Sequence, residues 1–333
     1  MKKDAKFFLE RAFTLSLKGQ GKVSLNPLVG AIIVRNNRVL AEGYHKKYGG
    51  AHAEIEALKQ CKNPKGATMY VSLEPCNHQG KTPPCTEAII EAGIKEVVIP
   101  CLDPNPKVKG KGVRKLRANG VKVKIVKMEK AFQEINMVYV KNIKTKMPYV
   151  TLKMALTLDG KSATKTGDSK WISSPESRKL VHQLRGRVDA IMVGTNTIIQ
   201  DNPHLGVRLC RGRDPKRIIL DPQKKISKKS KVFRDDNYLY YPKKVNLRLL
   251  LKELYKEGIS HLLVEGGSHL NNELLKLKLI DELNLFIAPK IVGGTKGASL
   301  LAGDGVSEIK KAWQLKNMYV GLVGSDILIR GTF

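Results

Sequence analysis

The sequence predicts an α/β protein built as two domains. Three observations lead there. The 333 residues exceed one ordinary α/β core and suit two. Strand-like apolar runs alternate with helix-like stretches along the whole chain. A charged connector, Lys141 to Pro148, separates two such alternating halves. The boundary is expected near residue 147, giving domains 1–146 and 147–333.

The elements follow from local pattern. Phe7, Phe8, Arg11, Ala12 and Leu15 have the spacing of an amphipathic first helix. Val29 to Val34 reads as a buried strand, Asn36-Asn37 as a turn, and Arg38 to Glu42 as the returning strand. Helices are predicted over His52–Gln60, Cys85–Ala92 and Lys111–Asn119, the last two followed by Gly93 and Gly120. Strands are predicted over Thr68–Leu73, Lys95–Cys101 and Val121–Val126. The second half restarts with a strand at Tyr149–Ala155. Further strands are expected at Asp189–Val193, Arg217–Asp221, His261–Val264, Leu283–Ala288 and Asp326–Arg330.

Composition narrows the function classes. Apolar residues make up 42% of the chain, as in globular proteins. No run approaches the ~20 apolar residues of a membrane span. The start Met1 to Lys6 reads as a helix turn, not a signal peptide. Five cysteines, an odd number, argue against a disulfide framework. Cys61, Cys101 and Cys210 stand in no motif and read as buried or incidental. A cytoplasmic protein is expected. The net charge of +30 is compatible with nucleic acid, a membrane surface or a phosphorylated substrate. The basic residues are scattered through both halves without interleaved aromatics. That favours lysines on solvated faces, and neither nucleic acid nor membrane is expected as a partner.

One ordered set of residues carries specific chemistry: His52-Ala53-Glu54, then Pro75-Cys76, then Cys85. Two thiolates and one imidazole leave zinc a fourth position for water. Such a site lowers the pKa of that water to roughly 7. A carboxylate that is not a ligand must then carry the proton, and Glu54 is the candidate. Mid-helix, His52 and Glu54 would not share a face. At a helix start both can point past its end. The helix beginning at Cys85 is expected to stabilise the Cys85 thiolate. The eight residues Asn77 to Pro84 separate the two cysteines, where nucleobase deaminases have Cys-x-x-Cys.

The second half has no Gly-x-Gly-x-x-Gly after a strand. It has instead Leu262 to Glu265 running into Gly266-Gly267, with a helix starting at Ser268. Paired glycines let backbone approach a phosphate, and a helix start attracts it. Ser268 could equally be a plain helix cap.

With these motifs in place, the chain resembles the bifunctional deaminase/reductase family of riboflavin biosynthesis. The first half matches through His52-Ala53-Glu54 and the run Glu74 to Cys85. It matches again through Asn26 to Gly30, Gly43-Tyr44-His45 and Asp103 to Pro106. The second half matches through Lys153 to Lys161, Ser169 to Ser174, Gly194 to Thr197, Asp201-Asn202-Pro203 and Ala288 to Gly294. The resemblance covers nearly the whole chain. It implies a cytidine-deaminase-like α/β/α sandwich followed by a dihydrofolate-reductase-like α/β domain.

It also implies roles. Zn2+ would be held by His52, Cys76 and Cys85, with Glu54 catalytic. Asn26, His45, His78, Lys81, Asp103 and Asn105 would line the pyrimidine pocket. Ala155, Trp171, Thr197, Asp201 and the run Gly267, Ser268, His269, Leu270, Asn271, Asn272, Glu273 would contact NADPH. Lys153, Ser169, Arg185, Leu205, Arg208 and Glu265 would contact the reductase substrate, with Arg185 and Arg208 suited to its 5-phosphate. Ser173 replaces the family's usual Thr, and Pro222 stands where many members have Ser near the cofactor. The implied reactions are hydrolytic deamination of 2,5-diamino-6-(5-phosphoribosylamino)pyrimidin-4-one and reduction of the product's ribosyl group to ribityl. The partners are phosphoribosyl pyrimidines, and a homo-oligomer is expected. The rival class is an RNA-binding or RNA-editing protein using the basic charge, which leaves the second domain unexplained.

Overall fold

The structure is a computed structural model that describes residues 4–79, 83–294, 301–303 and 305–333. The chain divides into two compact units, Met1–Lys146 and Met147–Phe333.

In the first unit, helix α1 (Ala5–Ser16) begins where the Asp4 side chain accepts the Phe7 amide at 2.9 Å. It is followed by β1 (Gly30–Arg35), β2 (Arg38–Tyr44), α2 (Ala53–Gln60), β3 (Thr68–Val71), α3 (Cys85–Glu91) and β4 (Glu96–Ile99). Then come α4 (Lys111–Ala118), β5 (Lys122–Ile125), α5 (Glu129–Ile135) and α6 (Met137–Thr145). The sheet order is β2-β1-β3-β4-β5. β1 is antiparallel to β2 and β3, while β3, β4 and β5 run parallel. Strand β1 is apolar on both faces because both are covered. Ala31 and Ile33 pack with Ala53, Ala57, Ile89 and Leu116 of α2, α3 and α4. Ile32 and Val34 pack with Phe8 and Ala12 of α1. The result is a sandwich whose buried strands deliver Glu74 to Cys76 and Cys101 to Asp103 to one end of the sheet.

The second unit holds β6 (Tyr149–Thr157), α7 (Pro175–Arg185), β7 (Ala190–Gly194), α8 (Thr195–Asp201), β8 (Lys216–Leu220), β9 (Tyr238–Tyr241) and α9 (Leu247–Lys256). It continues with β10 (His261–Val264), α10 (Ser268–Lys276), β11 (Glu282–Ala288), β12 (Lys316–Val323) and β13 (Asp326–Thr332). Its eight-stranded sheet has the order β12-β13-β11-β6-β10-β7-β8-β9. The run from β11 to β9 is parallel, and β12 and β13 form an antiparallel margin. One face packs Leu152, Met192 and Val264 against Leu250, Leu254 and Leu274. The other packs Ile191, Val193 and Leu263 with Ile198 and Leu205. In such sheets ligands collect at the carboxyl ends of the strands. Here those ends carry Lys153 and Ala155 of β6, Gly194 of β7 and Glu265 after β10.

Two expectations need correction. Lys141 to Thr145 are the last turns of α6, so the connector shrinks to Lys146–Pro148. The helices α5 and α6 lack any side-chain cap that would announce them. Strands β9 and β12 also escape the pattern. β12 is an edge strand exposed on most of its length, so no buried alternation marks it.

All five cysteines are free thiols. Cys101 is buried, whereas Cys61 and Cys210 are half-buried. Among the described residues, no helix is long and apolar enough to cross a membrane.

Candidate active sites

His52 is the residue just before α2, in extended backbone, and Glu54 lies in the first turn of that helix. Both side chains therefore reach past the helix end into one cavity of about 320 Å3. Cys76 leaves β3 through Glu74-Pro75, and Cys85 opens α3. His52 Nδ1 lies 3.3 Å from Cys85 Sγ and 3.5 Å from Cys76 Sγ. All three ligand atoms fall within 4.8 Å of one another. Tetrahedral zinc with bonds of about 2.3 Å to sulfur and 2.0–2.1 Å to nitrogen needs neighbouring ligand atoms roughly 3.6 Å apart. The donor set and its spacing fit that ion.

The first amide of α3, Cys85 N–H, donates to Cys76 Sγ at 3.5 Å. The helix start thus serves Cys76. A side-chain hydrogen bond with Cys85, then one from His52, brings the Cys76 thiol down to about 4, while the same side-chain contact and burial raise Cys85. Burial, reinforced by Cys76, pushes the Glu54 carboxyl up to about 7.

The same cavity gathers Asn26, His45, His78, Asp103 and Asn105. Lys81 lies outside the described residues. His45 Nδ1 is 3.0 Å from the Ala51 carbonyl, and Asn26 Nδ2 is 3.0 Å from His45 Nε2. A neutral ring donating to Ala51 therefore accepts from Asn26. Burial lowers the pKa of His45, consistent with that neutral form. Asp103 Oδ1 accepts from the Asn105 amide at 2.7 Å and from the Tyr139 hydroxyl at 2.9 Å. Burial nevertheless raises Asp103 to about 6.

Sequence reasoning missed three supports of this pocket. Tyr139 fixes Asp103. Asn136 brackets Leu28, accepting its amide at 2.7 Å and donating to its carbonyl at 3.2 Å. Glu74 is buried and accepts the amides of Asp103, Gly110 and Val113 at 2.9–3.1 Å. Tyr139 and Asn136 had no local sequence signal, and Glu74 stood in the matched run Glu74 to Cys85 without a role of its own.

In the second unit, Arg185, Glu265, Lys153, Asp201 and Ser169 come together. Arg185 donates from Nε and Nη2 to the two Glu265 oxygens at 2.7 and 2.9 Å, and from Nη1 to the Gly206 carbonyl at 3.3 Å. Burial opposes the Glu265 charge, yet Arg185 and Lys153 hold it down to about 2. Burial lowers the pKa of Lys153, partly offset by Glu265. Ser169 donates to Asp201 Oδ1 at 2.8 Å. Arg185 is thus committed to Glu265 and Gly206, unlike the exposed Arg208.

The glycine turn lies where β10 meets α10, capped by Gly267 and not by the Ser268 side chain. A Cβ on Gly267 would stand 3.2 Å from Thr197 Oγ1, so these two expected cofactor residues face each other. Ser268 and Leu270 are half-buried, and His269 and Glu273 are exposed. Asn271 and Asn272 are buried. Asn271 Nδ2 donates to Met154 Sδ at 3.4 Å, and its Oδ1 has no hydrogen-bond partner among the described residues. Ala155 sits on β6. Trp171 is 62% exposed and stacks with the Arg178 guanidinium at 4.7 Å.

Comparison with known proteins agrees with both halves. The family described as "Cytidine and deoxycytidylate deaminase zinc-binding region" matches residues 2–101, and "RibD C-terminal domain" matches residues 148–329. Riboflavin biosynthesis protein RibD of Aquifex aeolicus is 42% identical, covering 97% of this chain and 97% of its own. Its namesake in Actinobacillus pleuropneumoniae is 40% identical, over 97% and 93%. RibD of Acinetobacter baumannii superposes with a TM-score of 0.92 at 34% identity, over 98% of each chain. The Thermotoga maritima diaminohydroxyphosphoribosylaminopyrimidine deaminase/5-amino-6-(5-phosphoribosylamino)uracil reductase does so at 0.91 and 37%, again over 98% of each. With the His/Cys/Cys cluster in one unit and a reductase domain in the other, this chain belongs to the RibD family of riboflavin biosynthesis, bifunctional enzymes joining a zinc-binding deaminase to an NADPH-dependent reductase.

Proposed function

We propose that residues 1–146 deaminate the diaminopyrimidine ribosyl phosphate and residues 147–333 reduce the resulting aminouracil, with the site residues acting as follows. The carrying observation is that His52, Cys76 and Glu54 open on the same cavity as Asn26, His45 and Asp103. Zinc held by His52, Cys76 and Cys85 would supply a water that is nucleophilic near neutral pH. Glu54 would carry one proton of that water to the ring nitrogen and the second, from the hydroxyl added to the ring carbon, to the amine, which leaves as ammonia. Its raised pKa suits a group that must both accept and give a proton. Asn26, His45 and Asp103 orient the pyrimidine, and His78 and Lys81 attend the phosphate.

In the second unit NADPH supplies the hydride. Glu265 and Lys153 orient the opened sugar, and Arg208 takes the phosphate. Gly267 leaves room for the pyrophosphate beside Thr197, and Asp201, Ala155 and Trp171 complete the cofactor contacts. The free thiols fit a reducing compartment, the cytoplasm. The edge strand β12 exposes Met318, Tyr319, Val320 and Leu322, an apolar edge that suits a second copy of the chain.

The test is direct. Purified protein should hold about one zinc per chain. Glu54→Gln should keep the metal and lose deamination while NADPH oxidation with the aminouracil phosphate continues. Deaminase turnover surviving in Glu54→Gln would remove Glu54 as the proton carrier. Absence of NADPH oxidation in the wild type would remove the reductase assignment.

A further inference from the structure

The segment from Leu205 to Arg208 is held at successive main-chain groups. Leu205 is buried with a left-handed φ of 57°. The Gly206 amide donates to His204 Nδ1 at 3.3 Å, and its carbonyl accepts from Arg185 Nη1 at 3.3 Å. The Val207 amide donates to Asp214 Oδ1 at 2.7 Å. The Arg208 amide donates to His182 Nδ1 at 2.9 Å. His182 and Arg185 are three residues apart on α7, so one helix face grips the segment twice.

His182 is buried, and its accepting Nδ1 requires a ring whose proton is on Nε2. A charged ring would offer the Arg208 amide no lone pair. Burial, then Arg185 and Arg208, push His182 down to about 4, so the accepting form prevails at neutral pH. Arg208 is exposed as a residue, and its pKa is lowered by partial burial and then by two nearby cations, Arg185 and Arg234. Arg185 is neutralised by Glu265 and Arg234 by Asp214. Among the described residues Arg208 has no ion pair, so a main chain held by four hydrogen bonds presents an unneutralised cation.

We propose that His182 is a positioning residue of the reductase: its Nδ1 fixes the main chain of Arg208 and thereby aims the guanidinium at the substrate's phosphate. This rests on the reading that Arg208 binds that phosphate. His182→Phe keeps a ring of similar shape but no acceptor. It should raise KM for the aminouracil phosphate about tenfold, as loss of one well-placed hydrogen bond would, with kcat and the KM for NADPH little changed. With the dephosphorylated riboside, His182→Phe and wild type should be equally poor. His182→Asn places an amide oxygen near the position of Nδ1 and should restore the KM, whereas His182→Gln should not.

The outcomes separate. If Arg208→Gln raises KM and His182→Phe does not, this inference falls alone. If Arg208→Gln leaves KM unchanged, the phosphate reading falls and takes the inference with it. If His182→Phe loses kcat equally on both substrates, the role is merely structural and the proposal is overturned. Should His182→Phe fail to fold, equal KM values in His182→Asn and His182→Gln overturn it.

Discussion

Arg185 and Glu265 meet in a two-pronged ion pair, 2.7 and 2.9 Å, where α7 faces the end of β10. Both side chains are nearly removed from water, at 11% and 12% exposure. Removing one partner strands the other charge. Glu265→Gln should therefore cost the second unit about 3 kcal/mol of stability, and NADPH oxidation should fall with it. Deamination should persist. Calorimetry on the full chain reads this, and an unchanged unfolding midpoint would mean that the pair contributes nothing net.

Gly112 lies in the first turn of α4, directly against Pro75. A Cβ added there would stand 2.0 Å from the Pro75 carbonyl oxygen. Backbone must move, and the next residue is the proposed zinc ligand Cys76. Gly112→Ala should cost about 1–3 kcal/mol through overpacking and lower zinc retention on dialysis against a chelator. Wild-type zinc content and stability in this variant would show that the Pro75–Cys76 segment yields easily.

The gathering of His52, Cys76 and Cys85 was legible because metal-binding chemistry admits few residue types. His52 with Glu54, and Cys76 with Cys85, also lie at helix or strand ends that local pattern marks. Buried strands such as β1 and β10 were legible for the same reason: their apolar runs are short and bounded. The supports of the site were not. Tyr139 acts on Asp103 from 36 residues away, and Asn136 brackets Leu28 across 108 residues. Such contacts exist only once the sheet has formed. Edge strand β12 was hidden because exposure leaves a strand no alternation to display.

Gly267 tests the cofactor turn. Its φ is ordinary, so a side chain there causes crowding without backbone strain. The crowding falls on Thr197 Oγ1 and on the space in front of α10. Gly267→Val should weaken NADPH binding about tenfold or more, about 1.4 kcal/mol or above, and leave deamination intact. Fluorescence titration of NADPH against a deaminase assay on the same preparation makes the comparison. An unchanged NADPH affinity would move the pyrophosphate elsewhere.

His261 supplies a pH dependence of stability. It begins β10, with Nε2 2.9 Å from Thr151 Oγ1 and its ring edge-on to Tyr149. Burial lowers its pKa from 6.5 to about 4. The unfolded chain therefore takes up this proton near pH 6.5, and the folded one resists until about pH 4. Stability from the neutral ring is complete above the unfolded value and is lost as pH falls through that window. The loss from this group reaches about 3 kcal/mol by the lower end. His182 is lowered in the same direction, to about 4, so wild-type protein carries both dependences. His261→Gln keeps a polar group near Thr151 but does not titrate. Its unfolding midpoint, measured from pH 7 down to 4.5, should fall less steeply than that of wild type, with the His182 share still present. Parallel pH curves for the two proteins would show that His261 takes its proton in the folded state as readily as in the unfolded one.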